Sequence, residues 1–187
     1  ALGNTEKNAT PAITELIIRL SQRFPKHFFF TTPYLTTQQV TDKQLPSNTG
    51  VIVSAIDYPL RRTDGKDAKE KAFAGQLEQW KNVTKNIYIW DYINNFDDYL
   101  TPFPILKIAQ QRLQFFKQHG ASGIFFNGSG YSYSSFDEMR TFVLSALLIN
   151  PELPVDELIK SYFNQEYPVS KKWLYDYYTE LLKNAQS

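Results

Sequence analysis

Four short apolar runs, each bounded by polar or turn residues, predict four β-strands. They are rich in β-branched and aromatic residues and show no clean alternation with polar residues, which is typical of strands buried on both faces of a parallel sheet. The last three runs are separated by stretches long enough for a crossover helix. The runs are His27–Thr31, Gly50–Ile56, Asn86–Trp90 and Gly123–Phe126.

Apolar residues at helical spacing predict three helices that precede strands by short loops. These helices are Pro11–Phe24, Asp67–Trp80 and Pro104–His119. The alternation of helices and strands predicts an α/β fold made of parallel (β/α) units.

After Phe126 the pattern changes to helices alone. The segment Ser135–Glu138 has the form of a capping box ahead of the apolar run Phe142–Leu148, which explains Glu138 as a helix cap. Further helices are predicted at Val155–Phe163 and Ser170–Leu182. We therefore expect a single domain over residues 1–187, with (β/α) units at 10–130 and C-terminal helices packing on them at 131–187.

Four strands are half of an eight-stranded barrel, and a complete (β/α)₈ barrel usually needs about 250 residues. The chain has 187 residues, so the pattern predicts the later half of a TIM-type barrel followed by C-terminal helices. Three arrangements would complete or cover the sheet: a missing N-terminal barrel half, a second copy in a homo-oligomer, or helices over an open sheet.

Composition excludes several classes of function. The net charge of +1 gives no reason to expect nucleic acid as a partner. The chain has no Cys. His27 begins a predicted strand and His119 ends a predicted helix, so neither lies at the carboxyl end of a strand, and neither a metal site nor a cofactor is predicted. No apolar run of about 18 residues exists to span a membrane. Residues 1–10 lack the features of a signal peptide.

The end of the third predicted strand carries the strongest candidate chemistry. Trp90, Asp91 and Tyr92 place a carboxylate between two aromatic side chains. In a parallel α/β fold, working residues lie at the carboxyl ends of the strands. Aromatic faces beside a hydrogen-bond acceptor suit a sugar ring, whereas a structural Asp that binds loop N–H groups is the plain alternative.

Other strand ends add weaker candidates. Tyr34 follows the first strand, and Asp57 follows the second, where it serves a ligand, caps the loop or pairs with a nearby arginine. Asp57 and Asp91 are the only carboxylates directly after predicted strands, and glycoside hydrolysis normally needs two. Asn127 and Tyr131 flank glycines that would let the loop approach a ligand, or that simply form a flexible turn.

Several segments together resemble a known family. They are Tyr88–Tyr92, Tyr99, Pro102–Pro104, Gly120–Phe126, Ser145–Pro151, Val155–Ile159 and Tyr162–Phe163. Their order and spacing resemble the later part of an uncharacterised bacterial domain family assigned to the (β/α)₈ glycoside hydrolases, over about Thr10 to Leu182. Ile149 departs from the aromatic residue expected there.

The resemblance implies a barrel related to α-glucuronidases and β-hexosaminidases that acts on polysaccharides outside the cytoplasm, with its earlier strands absent from this chain. It carries over only Trp90, Asp91 and Tyr92 as pocket residues, because no motif for the acid–base carboxylates is present.

Three functions therefore stay open. The first is a glycoside hydrolase fragment with Asp57 and Asp91 as the paired carboxylates and Trp90, Tyr92, Tyr34 and Tyr131 as aromatic walls. The second is a non-catalytic carbohydrate-binding or scaffold module. The third is a phosphate- or nucleotide-binding domain that uses the segment 127–130, although GxxxxGK[ST] and GxGxxG are both missing.

Overall fold

The computed structural model describes residues 8–59, 66–128 and 134–184. Its helices and strands alternate as the sequence pattern predicts, and three helices follow the last strand. In chain order the elements are α1 (Thr10–Arg23), β1 (Phe29–Thr31), β2 (Thr49–Ser54), α2 (Ala68–Lys81), β3 (Ile87–Tyr92), α3 (Leu106–Gln118), β4 (Gly123–Asn127), α4 (Asp137–Ile149), α5 (Val155–Glu166) and α6 (Lys171–Asn184).

The four strands form one parallel sheet in the order β1-β2-β3-β4, which confirms the predicted α/β class. Val51 lies opposite Ile87, and Ser54 lies opposite Trp90. A helix connects β2 to β3 and β3 to β4, whereas the connection from β1 to β2 contains only a 3₁₀ turn at Leu35–Thr37. Sequential order with crossover helices is what repeated right-handed βαβ units produce.

The two faces of the sheet differ in burial. Side chains alternate along a strand, so Val51 and Val53 of β2 share a face with Ile87 and Ile89 of β3, and all four are fully buried. The other face carries Phe30, Tyr88, Trp90 and Phe125, and we call it the aromatic face. Three of these rings are 36%, 38% and 53% exposed, for Phe30, Tyr88 and Phe125 respectively. The expectation that both faces are buried is therefore wrong for the described residues. An apolar strand sequence does not show whether other elements pack on each face of the sheet.

Two glycines let rings of the aromatic face approach the sheet closely. A Cβ on Gly50 would fall 2.7 Å from the Phe30 ring and 2.3 Å from the backbone oxygen of Asn86. A Cβ on Gly123 would fall 2.7 Å from the Tyr88 ring. The Phe30 and Tyr88 rings in turn meet edge to face, with centroids 5.2 Å apart. These contacts hold the rings in place although the rings remain partly exposed.

The chain divides into two compact units. The first consists of Ala1–Tyr92 with Phe116–Phe126, and the second of Ile93–Phe115 with Asn127–Ser187. In the first unit, Tyr58, Phe73 and Phe116 form a buried aromatic triad with centroids 5.3 to 5.7 Å apart. This triad anchors the segment after β2 to α2 and to the end of α3.

In the second unit the three C-terminal helices pack in sequence, α4 on α5 and α5 on α6. Apolar residues of α4 and α5 fill its interior, including Val143, Leu147, Ile159 and Phe163. Gln110 of α3 donates hydrogen bonds to the backbone oxygens of Pro151 and Leu153, 2.8 and 2.7 Å away. Gln110, which lies outside the apolar stripe of α3, thus holds the connection between α4 and α5 in place.

The predicted capping box at the start of α4 is wrong. Phe136 stands at the N-cap position with φ 56° and makes no side-chain cap, while Ser134 Oγ donates to Asp137 Oδ1 at 2.6 Å. Left-handed backbone is uncommon for a residue with a large side chain. Glu138 is instead the acceptor for the Tyr162 hydroxyl, 3.2 Å away, so its carboxylate is free of a capping role.

None of the helices in the described parts of the chain is long and apolar enough to cross a bilayer.

Candidate functional site

The connection after β1 turns sharply at Tyr34. Thr37 Oγ1 accepts a hydrogen bond from the Tyr34 backbone N–H at 3.1 Å and donates to Thr32 O at 2.8 Å. Leu35 has φ 49°, a left-handed conformation that costs energy in a residue other than glycine. This tight turn fixes Tyr34 at the carboxyl end of β1, with 44% of the residue exposed.

Tyr34 lies on the wall of an open cleft of about 550 Å³. The end of β2 provides a second wall with Ser54, Ile56 and Asp57. The third wall is one side of α2, formed mainly by Lys69, Ala72, Phe73, Gln76 and Gln79. A volume of this size holds a small ligand.

The cleft brings together two of the residues that the sequence singles out, Tyr34 and Asp57. Asp57 is exposed, so its carboxylate is available to a ligand. The remaining polar lining is mostly amide and ammonium groups, from Gln38, Gln76, Gln79 and Lys69. A carboxylate, several amides and a tyrosine ring together offer donors, acceptors and a stacking surface to a polyhydroxyl compound.

Asp91 lies elsewhere. It is 0% exposed and shares the buried face of β3 with Ile87 and Ile89. Its Oδ1 accepts a hydrogen bond from the Tyr92 backbone N–H at 2.8 Å. The described residues that line the cleft do not include Asp91.

Trp90 and Tyr92 point to the side of the sheet opposite Asp91, because side chains alternate along a strand. The Trp90 ring packs edge to face against Phe125 with centroids 5.3 Å apart. Its Nε1 is buried and has no hydrogen-bond partner, and the same holds for Oγ of Ser54, the residue opposite Trp90 on β2. Two neighbouring donors without acceptors on one face are costly unless a ligand or water satisfies them.

A sequence profile described as Domain of unknown function (DUF4838) matches residues 9–180. The chain belongs to this family. The matched stretch nearly coincides with the one over which the sequence resembles an uncharacterised domain family, so membership of a family without an assigned function is confirmed. No curated protein and no solved structure matches the chain.

The glycine-rich loop of the DUF4838 domain is only partly described. Asn127 ends β4, and its backbone oxygen accepts a hydrogen bond from the Ile93 N–H at 3.2 Å. A Cβ on Gly128 would meet the Ile93 side chain at 2.1 Å, and the Gly128 oxygen accepts a bond from Asn94 Nδ2. Close packing therefore explains this glycine without a ligand. Tyr131 lies outside the described residues.

The α2 wall of the cleft in this DUF4838 domain could not be predicted from the strand ends. Lys69, Ala72, Gln76 and Gln79 belong to a helix. Their spacing of three and four residues puts them on one helix face, and that polar face is the signal that could have identified them. Among the described residues, no group of three or more His, Asp or Glu side chains is placed to hold a metal ion.

Proposed function

We propose that this chain binds carbohydrate as the later part of a glycoside-hydrolase-type barrel. The observation that carries the proposal is the cleft that contains Tyr34 and Asp57, where β1 and β2 end. In barrels with parallel strands, ligands bind at this end of the sheet. The resemblance to an uncharacterised bacterial domain family assigned to the glycoside hydrolases adds the substrate class, an oligosaccharide or polysaccharide, and implies a protein that works outside the cytoplasm.

Each wall of the cleft has a role in this proposal. The exposed ring of Tyr34 stacks on the apolar face of a sugar unit. Asp57 and the amides of Gln76 and Gln79 exchange hydrogen bonds with its hydroxyl groups. The half-buried ring of Trp90 supports a second sugar unit along the aromatic face.

The same geometry favours binding over hydrolysis by this chain alone. Asp57 is exposed, but Asp91 is fully buried on the other side of its strand from Trp90. A glycosidase needs two carboxyl groups on either side of the scissile bond, about 5–9.5 Å apart. In our proposal Asp57 contacts the sugar, Asp91 supports the strand end, and the acid–base carboxylates come from outside the described cleft.

The test is a binding titration with soluble oligosaccharides of three kinds, namely neutral, amino-sugar and uronic-acid types. We expect one kind to bind and Tyr34→Ala to weaken that binding about 5- to 150-fold, because loss of a stacking ring costs about 1–3 kcal/mol. Asp57→Asn should weaken it as well. Tyr177→Ala is the matched control, since Tyr177 is an exposed ring on α6 and is not among the residues that line the cleft.

If none of the three kinds binds, or if Tyr34→Ala and Tyr177→Ala weaken binding equally, the cleft is not a carbohydrate site. Hydrolysis of a bound oligosaccharide by the wild-type chain, lost in both Asp57→Asn and Asp91→Asn, would establish the catalytic alternative instead.

A further inference from the structure

The C-terminal helices form a second open cavity of about 310 Å³, at the start of α4 and along one side of α5. Met139, Tyr162 and Phe163 form its buried floor. Tyr167 and Glu138 lie at the rim, where both are exposed. The volume is at the lower end for small-molecule sites, so the occupant must be compact.

Four of the nine residues that line the cavity are aromatic, and their rings are inclined to one another rather than stacked. Tyr162 and Phe163 have centroids 5.8 Å apart at 65°, and Tyr167 lies 6.2 Å from Tyr162 at 55°. Phe136 adds a further ring 6.3 Å from Phe163 at 73°. The four rings border the same space, and the face of each ring carries the negative end of its quadrupole.

The left-handed backbone at Phe136 belongs to this arrangement. Its φ of 56° turns the ring towards α5 and α6, where it also contacts Tyr178 with centroids 5.3 Å apart. A residue with a Cβ adopts this conformation at a cost, which packing of the ring offsets.

Charge at the cavity is mainly negative. Asp137 and Glu138 both contribute to the lining. Arg140 partly offsets the negative charge of Asp137, and its Nη1 donates a hydrogen bond to Ser134 Oγ at 3.4 Å. Glu138 has no basic partner among the described residues, and it accepts only the neutral hydroxyl of Tyr162 at 3.2 Å. Burial and the bond to Glu138 raise the pKa of Tyr162 to about 12, so this hydroxyl stays protonated at neutral pH.

We propose that this cavity binds a compact organic ammonium ion, with its charge over the tyrosine and phenylalanine faces and beside the Glu138 carboxylate. Cations are attracted to aromatic faces within about 6 Å, and quaternary ammonium ions are recognised by sets of rings arranged in this way. A neutral ligand of the same shape would gain the apolar contacts but neither the cation–π attraction nor the attraction to Glu138. This site lies in the second unit and does not depend on the carbohydrate cleft.

The single methionine of the chain makes the test direct. Met139 lies on the cavity floor, so its ε-methyl group, labelled with ¹³C, reports on occupancy by NMR. Met139→Leu assigns the signal. We expect tetramethylammonium and choline to shift it saturably in the millimolar range, whereas sodium chloride at equal ionic strength should not. The uncharged isostere of choline, 3,3-dimethylbutan-1-ol, should bind about 3- to 30-fold more weakly.

Rim variants complete the experiment, because exposed residues can be changed without unfolding the helices. Tyr167→Ala should weaken choline binding about 2- to 5-fold, and Tyr167→Phe, which keeps the ring, should leave it unchanged. Glu138→Gln keeps an acceptor for Tyr162 and should also weaken binding about 2- to 5-fold. The proposal is overturned if the Met139 signal does not respond, if the alcohol binds as tightly as choline, or if Tyr167→Ala and Glu138→Gln bind like the wild type.

Discussion

The first prediction assigns different roles to the two candidate carboxylates, Asp57 and Asp91. Asp91 is fully buried, and its Oδ1 accepts the Tyr92 N–H at 2.8 Å. Asp57 is exposed on the wall of the cleft. We therefore expect Asp91→Ala to affect folding and Asp57→Ala to affect ligand binding.

The magnitude follows from the hydrogen bond that Asp91→Ala removes. Leaving a buried donor or acceptor without its partner costs about 1–3 kcal/mol, and the substitution removes the acceptor of the Tyr92 N–H. For a chain of this size, each kcal/mol shifts the melting temperature by about 2–4 °C, so the expected decrease is roughly 2–12 °C. Asp57→Ala should change the free energy of unfolding by no more than about 0.5 kcal/mol, as is usual for an exposed residue.

Urea and thermal unfolding, followed by tryptophan fluorescence and circular dichroism, measure both effects on the same samples. An Asp91→Ala variant that unfolds like the wild type would refute the reasoning, because a carboxylate that supports its own strand end cannot be removed without cost. Oligosaccharide binding that is lost in a folded Asp91→Ala variant and retained in Asp57→Ala would also refute the assignment of these two roles.

Further predictions concern backbone fit and pH. Gly50→Ala should destabilise the chain by about 1–3 kcal/mol in urea unfolding, because the added Cβ would lie 2.3 Å from the Asn86 oxygen. Gly75→Ala in α2 should instead stabilise it by about 0.5–1 kcal/mol, because nothing lies within 4 Å of the new Cβ; a destabilised variant would contradict this. The pKa of Tyr162 is raised to about 12, above its unfolded value of 10.0. The stability from its protonated hydroxyl is therefore complete below pH 10 and lost as the pH rises towards 12. Tyr162→Phe should flatten this part of the stability profile, and an unchanged alkaline profile would show that another group causes the loss.

Much of the fold could be predicted because its signals are local. Apolar runs such as Gly123–Phe126 and helical stripes such as that of Pro104–His119 are visible without tertiary contacts, and their alternation determines the α/β class. Element ends were less accurate. The predicted strand at His27–Thr31 shortens to Phe29–Thr31, because pairing with β2 begins only there.

The site was predicted only in part, because it depends on which way side chains point. Because Trp90 and Asp91 are adjacent in sequence, they were predicted to form one site. Neighbouring residues on a strand, however, point to opposite sides of the sheet. The capping box failed for a related reason. The tertiary contacts of Phe136 with α5 and α6 determine the backbone at the start of α4, and Ser135 loses the N-cap position.

The cleft beside Tyr34 and Asp57 depends on an incomplete helical layer. Only a 3₁₀ turn lies between β1 and β2, so the polar side of α2 has no neighbouring helix in that connection and remains accessible beside Gln38. A longer connection that folded into a full helix would fill this gap, cover Gln76 and Gln79, and remove the binding space while leaving the strand pairing intact. The length of the connection between β1 and β2 would then determine whether the cleft is open to a ligand, even if every residue that contacts the ligand stayed the same.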